Sequence, residues 1–213
     1  MSKGDNREYV WSETLSIRPE YPHIERWITP GARVIDLGCG NGSLLLLLKE
    51  KKNVIAAGIE VSPSGVAVCR ARGLQVTQGR IDVPLNEIAD DTFDFAICNV
   101  TLQMVMYPEV TLREMRRIAR YQIVSFPNFA FIANRLDLLL FGRMPRWGLF
   151  GYAWYNTGHI HQLSIADFLA TITDLRMRVC KRVWLGKLGR ACALAPNLLT
   201  QTAIFLLEKT DYD

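Results

Sequence analysis

The chain has 213 residues, of which 49% are hydrophobic and 22% charged, and its formal net charge is +4. These values are typical of an ordinary globular protein with one three-layer core, so we expect a single domain over residues 1–213. The five cysteines include no Cys-x-x-Cys pair, which favours reduced thiols in a cytoplasmic protein over a disulfide framework.

No segment of the sequence resembles a targeting signal or a membrane span. Residues 1–16 are polar and are expected to be flexible, and they lack the apolar centre of a signal peptide. The apolar runs at residues 44–48 and 191–207 are too short or too interrupted for the roughly 20 residues that a membrane span needs. We therefore predict a cytoplasmic protein with no membrane partner.

Basic residues are scattered, with one denser group on a predicted helix: Arg113, Arg116, Arg117 and Arg120. Such a group is typical of a solvated helix face. A nucleic-acid site would need a larger basic surface with interleaved aromatic residues, so no nucleic-acid partner is predicted.

From residue 33 onward, short apolar segments alternate with longer amphipathic ones, which predicts βαβ units and a parallel sheet. The predicted strands cover residues 33–37, 54–59, 74–78, 93–98, 121–126, 178–184 and 201–207. The predicted helices cover residues 42–50, 62–73, 108–117 and 164–173. Ser62 before Pro63, and Ser164 three residues before Asp167, are helix start signals.

Residues 128–161 interrupt this alternation with a long segment rich in aromatic residues and arginine. Connections longer than about 15 residues are uncommon, and such insertions are often lids or binding surfaces. Aromatic and arginine side chains are also enriched at protein interfaces. Two interpretations stay open, a functional lid or interface and a structural flap over the sheet edge.

The most informative segment joins the first predicted strand to its helix: Val34-Ile35-Asp36-Leu37-Gly38-Cys39-Gly40-Asn41-Gly42. Glycines let the backbone approach a ligand, and the N-terminus of the next helix favours an anionic or zwitterionic group. The dinucleotide fingerprint needs a glycine where Ser43 stands. The spacing instead resembles the first motif of the class I S-adenosylmethionine (SAM)-dependent methyltransferases. A nucleotide site and a turn without a ligand are the alternatives.

The methyltransferase resemblance implies that Asp36 and the loop backbone hold the amino-acid end of the cofactor. The residues assigned to this end are Asp36, Gly38, Cys39, Gly40, Asn41 and Gly42. Glu60 stands at the tip of the second predicted strand, where parallel sheets bind ligands. Its carboxylate can accept hydrogen bonds from a ribose, and Val61 beside it is assigned to the same site. A solvated loop glutamate is the alternative.

The methyltransferase pattern also places an acidic residue near the adenine, flanked by an apolar residue that stacks on the ring. Asp82 and Ile81 are the candidates, and Arg80 stands where that pattern often has an acid. Asn99 ends the fourth predicted strand, near the expected positions of the sulfonium and the substrate.

His159 and His161 are two residues apart, so on a strand they would share a face. A metal site is not predicted, because no third cysteine or histidine lies nearby in the sequence. The catalytic candidates are Asn99, His159 and His161. One of the two histidines is expected to line the substrate pocket or to act as a general base. Otherwise the histidines are hydrogen-bonded structural residues.

Further segments over residues 17–207 resemble the bacterial methionine biosynthesis protein MetW family. Among them are Ser125-Phe126-Pro127-Asn128-Phe129, Gly142-Arg143-Met144-Pro145 and Trp154-Tyr155-Asn156-Thr157. This resemblance implies an α/β, three-layer, Rossmann-like class I methyltransferase fold. Its sheet is expected to have seven mostly parallel strands in the order 3-2-1-4-5-7-6, with helices on both faces.

Two functional hypotheses fit these features. The first is a methyltransferase linked to methionine biosynthesis that acts on a small-molecule substrate, uses SAM and releases S-adenosyl-L-homocysteine (SAH). The second is a non-catalytic, SAM-sensing partner and activator of homoserine O-acyltransferase, the partner that the resemblance implies. The glycine loop and Glu60 are compatible with both hypotheses, and the aromatic insertion favours the second.

Overall fold

A computed structural model describes residues 7–188 and 191–210. The strands are β1 (Arg33–Leu37), β2 (Ile55–Glu60), β3 (Gln75–Gln78), β4 (Phe93–Asn99), β5 (Ala119–Pro127), β6 (Met177–Leu185) and β7 (Thr202–Lys209). The helices are α1 (Tyr21–Trp27), α2 (Ser43–Lys52), α3 (Pro63–Ala71), α4 (Pro108–Ile118), α5 (Ile132–Phe141), α6 (Ile165–Asp174), α7 (Ala191–Leu194) and α8 (Pro196–Leu199). A 3-10 turn covers Leu102–Met104.

The strands form a seven-stranded sheet in the order β3-β2-β1-β4-β5-β7-β6. The pairs from β3 to β5 are parallel, whereas β7 runs antiparallel to both β5 and β6. The predicted strand order and the mostly parallel sheet are therefore confirmed.

Buried side chains cover both faces of the sheet because successive strand residues point to opposite sides. On β5, Val124 packs in the cluster that includes Leu112 of α4 and Phe168 of α6. Its neighbour Ile123 packs in the cluster that includes Ile24 of α1 and Leu44 of α2. This arrangement gives the expected three layers.

The helix start signals act as predicted. The Ser62 hydroxyl accepts a hydrogen bond from the Gly65 N–H at 3.5 Å, and Pro63 opens α3. The Ser164 hydroxyl accepts from the Asp167 N–H at 3.1 Å. The helices α1, α5, α7 and α8 were not among the predicted elements.

The interpretation of the arginine group as a solvated helix face is wrong for Arg117. Its guanidinium donates to the Glu114 carboxylate at 2.7 Å and to the Asp90 carboxylate at 2.8 Å. It also donates to the carbonyls of Leu85 and Ile88 at 3.0 and 2.7 Å. Arg117 therefore ties α4 to the loop that precedes β4.

The insertion at residues 128–161 contains α5 and then continues without regular secondary structure. Residues 159–164 form neither helix nor strand, so the alternation of a strand does not place His159 and His161 on one face. The Asn128 N–H donates to Gln201 O at 2.8 Å, and the Phe129 N–H donates to Leu163 O at 2.9 Å. These bonds fix both ends of the insertion at the carboxyl edge of β5.

Within residues 7–188 and 191–210, no helix is both long and apolar enough to cross a membrane. The expected flexibility of residues 1–16 stays a prediction. Residues 1–6 lie outside the described residues, and residues 7–16 form neither helix nor strand.

Candidate cofactor site

A cavity of about 1400 Å³ opens at the carboxyl ends of β1, β2 and β4. Most of the predicted cofactor residues line it: Asp36, Gly38, Cys39, Gly40, Asn41, Glu60, Val61, Ile81, Asp82 and Asn99. The fold thus brings together residues that lie on four separate segments of the sequence.

Gly42 was predicted in the site but does not line the cavity. Its φ of 75° lies in the left-handed region, and a Cβ there would lie 2.5 Å from a methyl carbon of Leu74. Gly42 is therefore required for the turn into α2 and for its packing against the segment before β3. Gly38, with φ of 82°, does line the cavity, and a Cβ there would lie 2.5 Å from the Thr101 methyl group.

Asp36 lies buried at the floor of the cavity. Its Oδ1 atom has no hydrogen-bond partner among the described residues. Burial and, next, the nearby Glu60 charge raise the pKa of Asp36 to about 7, while the Arg18 guanidinium acts in the opposite direction. A buried carboxylate with an unpartnered oxygen is suited to receive a cationic group from a ligand.

Glu60 is also buried, and two backbone groups fix its carboxylate. Its Oε2 accepts from the Gly40 N–H at 2.7 Å, and its Oε1 accepts from the Ser62 N–H at 2.9 Å. Each carboxylate oxygen has two lone pairs, so both oxygens keep an acceptor position for hydroxyl groups. The solvated-loop alternative does not describe this buried side chain.

Arg80 pairs with the predicted adenine residue. Its guanidinium donates to both oxygens of Asp82 at 2.9 and 3.0 Å, and the Met106 N–H donates to Asp82 Oδ2 at 2.9 Å. The bond from Arg80 is the main cause of a lowered pKa of Asp82. Three of about four lone-pair sites on this carboxylate are therefore occupied, which leaves room for one further donor.

Residues 7–20, which we call the N-terminal strap, cross the glycine loop. The Asn41 side-chain amide donates to Ser12 O at 3.1 Å and to Thr14 O at 2.9 Å. The Trp11 ring lies so close to Gly40 that a Cβ there would be 2.7 Å from it. The strap therefore closes the side of the cavity next to the glycine loop.

The strap and α1 add polar residues that sequence reasoning missed. Arg18, Glu20 and Tyr21 line the cavity near Asp36. Burial raises the pKa of Glu20, and burial raises the pKa of Tyr21 to about 12. The resemblance over Ile17-Arg18-Pro19-Glu20-Tyr21 marked this segment but gave its residues no role.

Asn99 is the last residue of β4, the strand next to β1, and a hydrogen bond orients its side chain. The Ser125 hydroxyl donates to Asn99 Oδ1 at 2.7 Å. The next residue, Val100, has φ of 53°, which is strained for a β-branched residue. Its N–H bonds Ser125 O and Oγ, both at 3.0 Å. These contacts fix the Asn99 amide at the cavity wall.

The insertion and the β6 and β7 ends complete the cavity on this side. The lining residues there are Phe150, Tyr152, His159, Ile160, Leu185, Gly186, Lys187, Gln201 and Thr202. Aromatic and aliphatic side chains thus alternate with a few polar groups, as in pockets for small molecules.

The two histidines occupy different places. His159 lines the cavity, and burial lowers its pKa to about 4, so the ring is uncharged at neutral pH. His161 lies outside this cavity, with Nε2 3.3 Å from Met106 O. Of the two predicted candidates, only His159 is therefore placed to contact a substrate. The described part of the chain contains no group of three or more metal-ligating side chains that could hold a metal ion.

Comparison with known proteins assigns both a family and a fold. A family model described as "Methionine biosynthesis protein MetW" matches residues 18–207. The "Bifunctional methionine biosynthesis protein MetXA/MetW" of Rhodopirellula baltica is 32% identical over an alignment of 208 residues, which covers 92% of this chain and 33% of that protein. The chain spans 52% and 56% of two further curated relatives.

Solved structures agree with this fold. An S-adenosylmethionine-dependent methyltransferase from Mesorhizobium loti superposes with a TM-score of 0.66 at 15% identity, over 92% of this chain and 100% of that one. The [4+2]-cyclase SpnF superposes with a TM-score of 0.65 at 15% identity, over 99% and 88%. These likenesses show the Rossmann-like class I methyltransferase fold.

Proposed function

Because the chain belongs to the MetW family of methionine biosynthesis proteins, we propose that it binds SAM and methylates a small molecule in that pathway. The observation that carries this proposal is the buried carboxylate of Asp36, a residue that lines the cavity at the glycine loop and whose Oδ1 has no hydrogen-bond partner among the described residues. A zwitterionic amino-acid group is a ligand that would satisfy this carboxylate.

The amino-acid end of SAM would lie between Asp36 and Arg18. The Asp36 carboxylate would accept hydrogen bonds from the ammonium group, and the Arg18 guanidinium would pair with the carboxylate. Supporting this pair, Arg18 lines the same cavity and lies close enough to influence the pKa of Asp36.

The nucleoside end would lie along the ends of β2 and β3. Glu60 would accept hydrogen bonds from the ribose hydroxyls, while its backbone bonds hold it in place. Asp82 would accept from the adenine amino group at its remaining lone pair, with the buried Ile81 packing on the ring.

SAM, when bound, supplies an electrophilic methyl group. The acceptor would occupy the side of the cavity lined by Asn99, Tyr152 and His159. Asn99 would position it through its oriented amide, and the uncharged His159 ring would accept a hydrogen bond from it. Positioning of the reactants would supply most of the rate enhancement.

Calorimetric titration with SAM and with SAH tests the cofactor assignment. We expect both ligands to bind, and we expect Asp36→Ala to weaken both by about 1.5–3 kcal/mol because a charged hydrogen bond is lost. Asp94→Asn is the control. Asp94 lies at the start of β4, where its carboxylate accepts a hydrogen bond from the Arg33 N–H, and it does not line the cavity. The absence of binding at millimolar ligand would overturn the proposal.

A second function is favoured by the Rhodopirellula baltica relative, whose name joins MetXA and MetW in one protein. In this alternative, the chain binds a homoserine O-acyltransferase of the MetXA type and activates it in response to SAM. The fold by itself does not require methyl transfer, because SpnF, a protein named as a cyclase, has a similar fold.

Two assays separate the alternatives. A methyltransferase would release SAH from SAM when supplied with its acceptor, for which a small-molecule extract can be screened. A SAM-sensing partner would change the rate of the acyltransferase when added with SAM, without releasing SAH. Release of SAH without any effect on the acyltransferase would exclude the second function.

A further inference from the structure

The helix α5 presents its apolar side to solvent. Ile132, Leu136, Leu139 and Leu140 are spaced to form one stripe along the helix. Leu136, Leu139 and Leu140 are 42%, 79% and 64% exposed. A stripe with this spacing normally packs on a core, and among the described residues nothing covers it. We call Leu136, Leu139 and Leu140 the α5 face.

Polar bonds attach α5 to the segment that precedes it. Asn134 is the buried residue of α5, and its side-chain amide donates to Phe129 O at 2.9 Å. The Arg135 guanidinium donates to Ala130 O at 2.7 Å. These bonds fix the orientation in which the leucines point outward, so the exposure is a property of the folded chain.

Further exposed apolar side chains lie on α5 and in the segment that follows it. Leu138 and Phe141 are 55% and 62% exposed, and Met144 and Trp147 follow in the same insertion at 48% and 47%. Soluble proteins rarely expose so many large apolar side chains in one segment unless the segment binds a partner. Aromatic, methionine and arginine residues are enriched at protein interfaces.

The rim of the patch is positively charged. Arg143 and Arg146 are exposed and follow α5 directly, and the Arg143 guanidinium lies 5.5 Å from the centre of the Phe141 ring. On α5, Asp137 is the acidic residue. A complementary partner surface therefore has an apolar centre and an acidic rim.

The insertion also connects this patch to the cofactor cavity. Trp147 packs edge-on against Phe131, the residue before α5, with ring centres 6.1 Å apart. A few residues further on, Phe150 and His159 line the cavity. A partner on the α5 face would thus contact the same insertion that forms one cavity wall.

We propose that the α5 face is the docking surface for an acyltransferase of the MetXA type. This inference rests on the second proposed function. The occupant follows from the Rhodopirellula baltica relative, in which one chain carries both names. A fusion holds two partners at an effective concentration of about a millimolar or more, which suits partners that act in contact.

The test uses the full chain, co-expressed with the MetXA-type acyltransferase of the same genome. Light scattering after size exclusion and titration calorimetry would measure the complex. The double variant Leu139→Gln/Leu140→Gln keeps good helix formers but removes the apolar contact. We expect it to weaken the complex about 100-fold. Ile55→Gln is the matched control, an exposed apolar residue at the amino end of β2, and it should leave the complex unchanged.

The outcomes separate the surface from the function. SAM binding by the double variant, measured in parallel, shows that it is folded. A complex that the double variant leaves unchanged would overturn the surface while keeping the partner. If the unmodified chain forms no complex, the second function fails and this inference with it.

Other occupants give different results. Self-association of the chain alone, lost in the double variant, would assign the face to a second copy. Flotation with vesicles of phosphatidylglycerol and phosphatidylcholine, lost in the same variant, would assign it to a lipid surface. Either result, without a change in the acyltransferase complex, overturns the proposal.

Discussion

Among single residues, Asp36 makes the stability of the fold depend on pH. Its pKa is about 7 in the folded state, whereas an unfolded aspartate titrates near 3.9. Between these values the folded chain binds more protons than the unfolded chain. The free energy of unfolding therefore falls as pH rises through about 4 to 7, by up to about 4 kcal/mol from this group alone.

The substitution Asp36→Asn tests this dependence. An amide does not titrate, so the variant should lack the loss of stability between about pH 4 and 7 that Asp36 causes in the unmodified chain. Urea unfolding at several pH values measures it. Parallel stability curves for both proteins over this range would show that Asp36 is ionised in the folded state.

Glu60 gives a second prediction at this scale. Glu60→Ala should weaken SAM and SAH alike by about 1.5–3 kcal/mol, because the acceptor for the ribose hydroxyls is lost. Titration calorimetry measures the change, and Glu50→Ala, an exposed acid at the far part of α2, is the control. An unchanged affinity would show that the ribose assignment is wrong.

Among the larger segments, the N-terminal strap provides a signal for ligand binding. The Trp11 ring lies on Gly40, and burial, followed by the nearby Glu60 charge, raises the pKa of Tyr9 in the same strap. SAM should therefore change tryptophan fluorescence, and Trp11→Phe should abolish most of that change. Trp154→Phe, at a 72% exposed position, should retain it. A full response from the Trp11 variant would place the ligand away from the strap.

The connection between α4 and the loop before β4 gives a stability prediction. Arg117→Ala should lower the free energy of unfolding by about 2 kcal/mol, because the bonds to Glu114 and to the loop carbonyls are lost. Arg113 is exposed on the same helix, so Arg113→Ala should change stability little. Thermal and urea unfolding would compare the two, and equal effects would contradict the assigned role.

At the scale of the whole molecule, the insertion at residues 128–161 carries both the α5 face and one wall of the cofactor cavity. If an acyltransferase docks there, the two binding events are linked. The factor by which SAM changes the affinity for the acyltransferase must equal the factor by which the acyltransferase changes the affinity for SAM. Calorimetry in both orders measures these factors, and a factor of one would show that the surfaces are independent.

Local sequence patterns predicted most of the fold. The predicted strand at residues 33–37 is β1, and Ser62 and Ser164 cap the predicted helices. Alternating burial and helix caps are set by near neighbours, so they are visible in short windows. The stripe of α5 was also present in the sequence, but its outward direction depends on the bond from Asn134 to the backbone before the helix.

The sequence by itself determined the glycine loop, the acidic residues at the strand ends and the βαβ units that make the sheet mostly parallel. Only the tertiary structure decided which charged groups meet: Arg80 with Asp82, and Arg18 near Asp36. It also separated His159 from His161 and brought Trp11 onto Gly40. The physical reason is that burial and long-range contacts set desolvation, charge pairing and access, and these arise only when distant segments pack together.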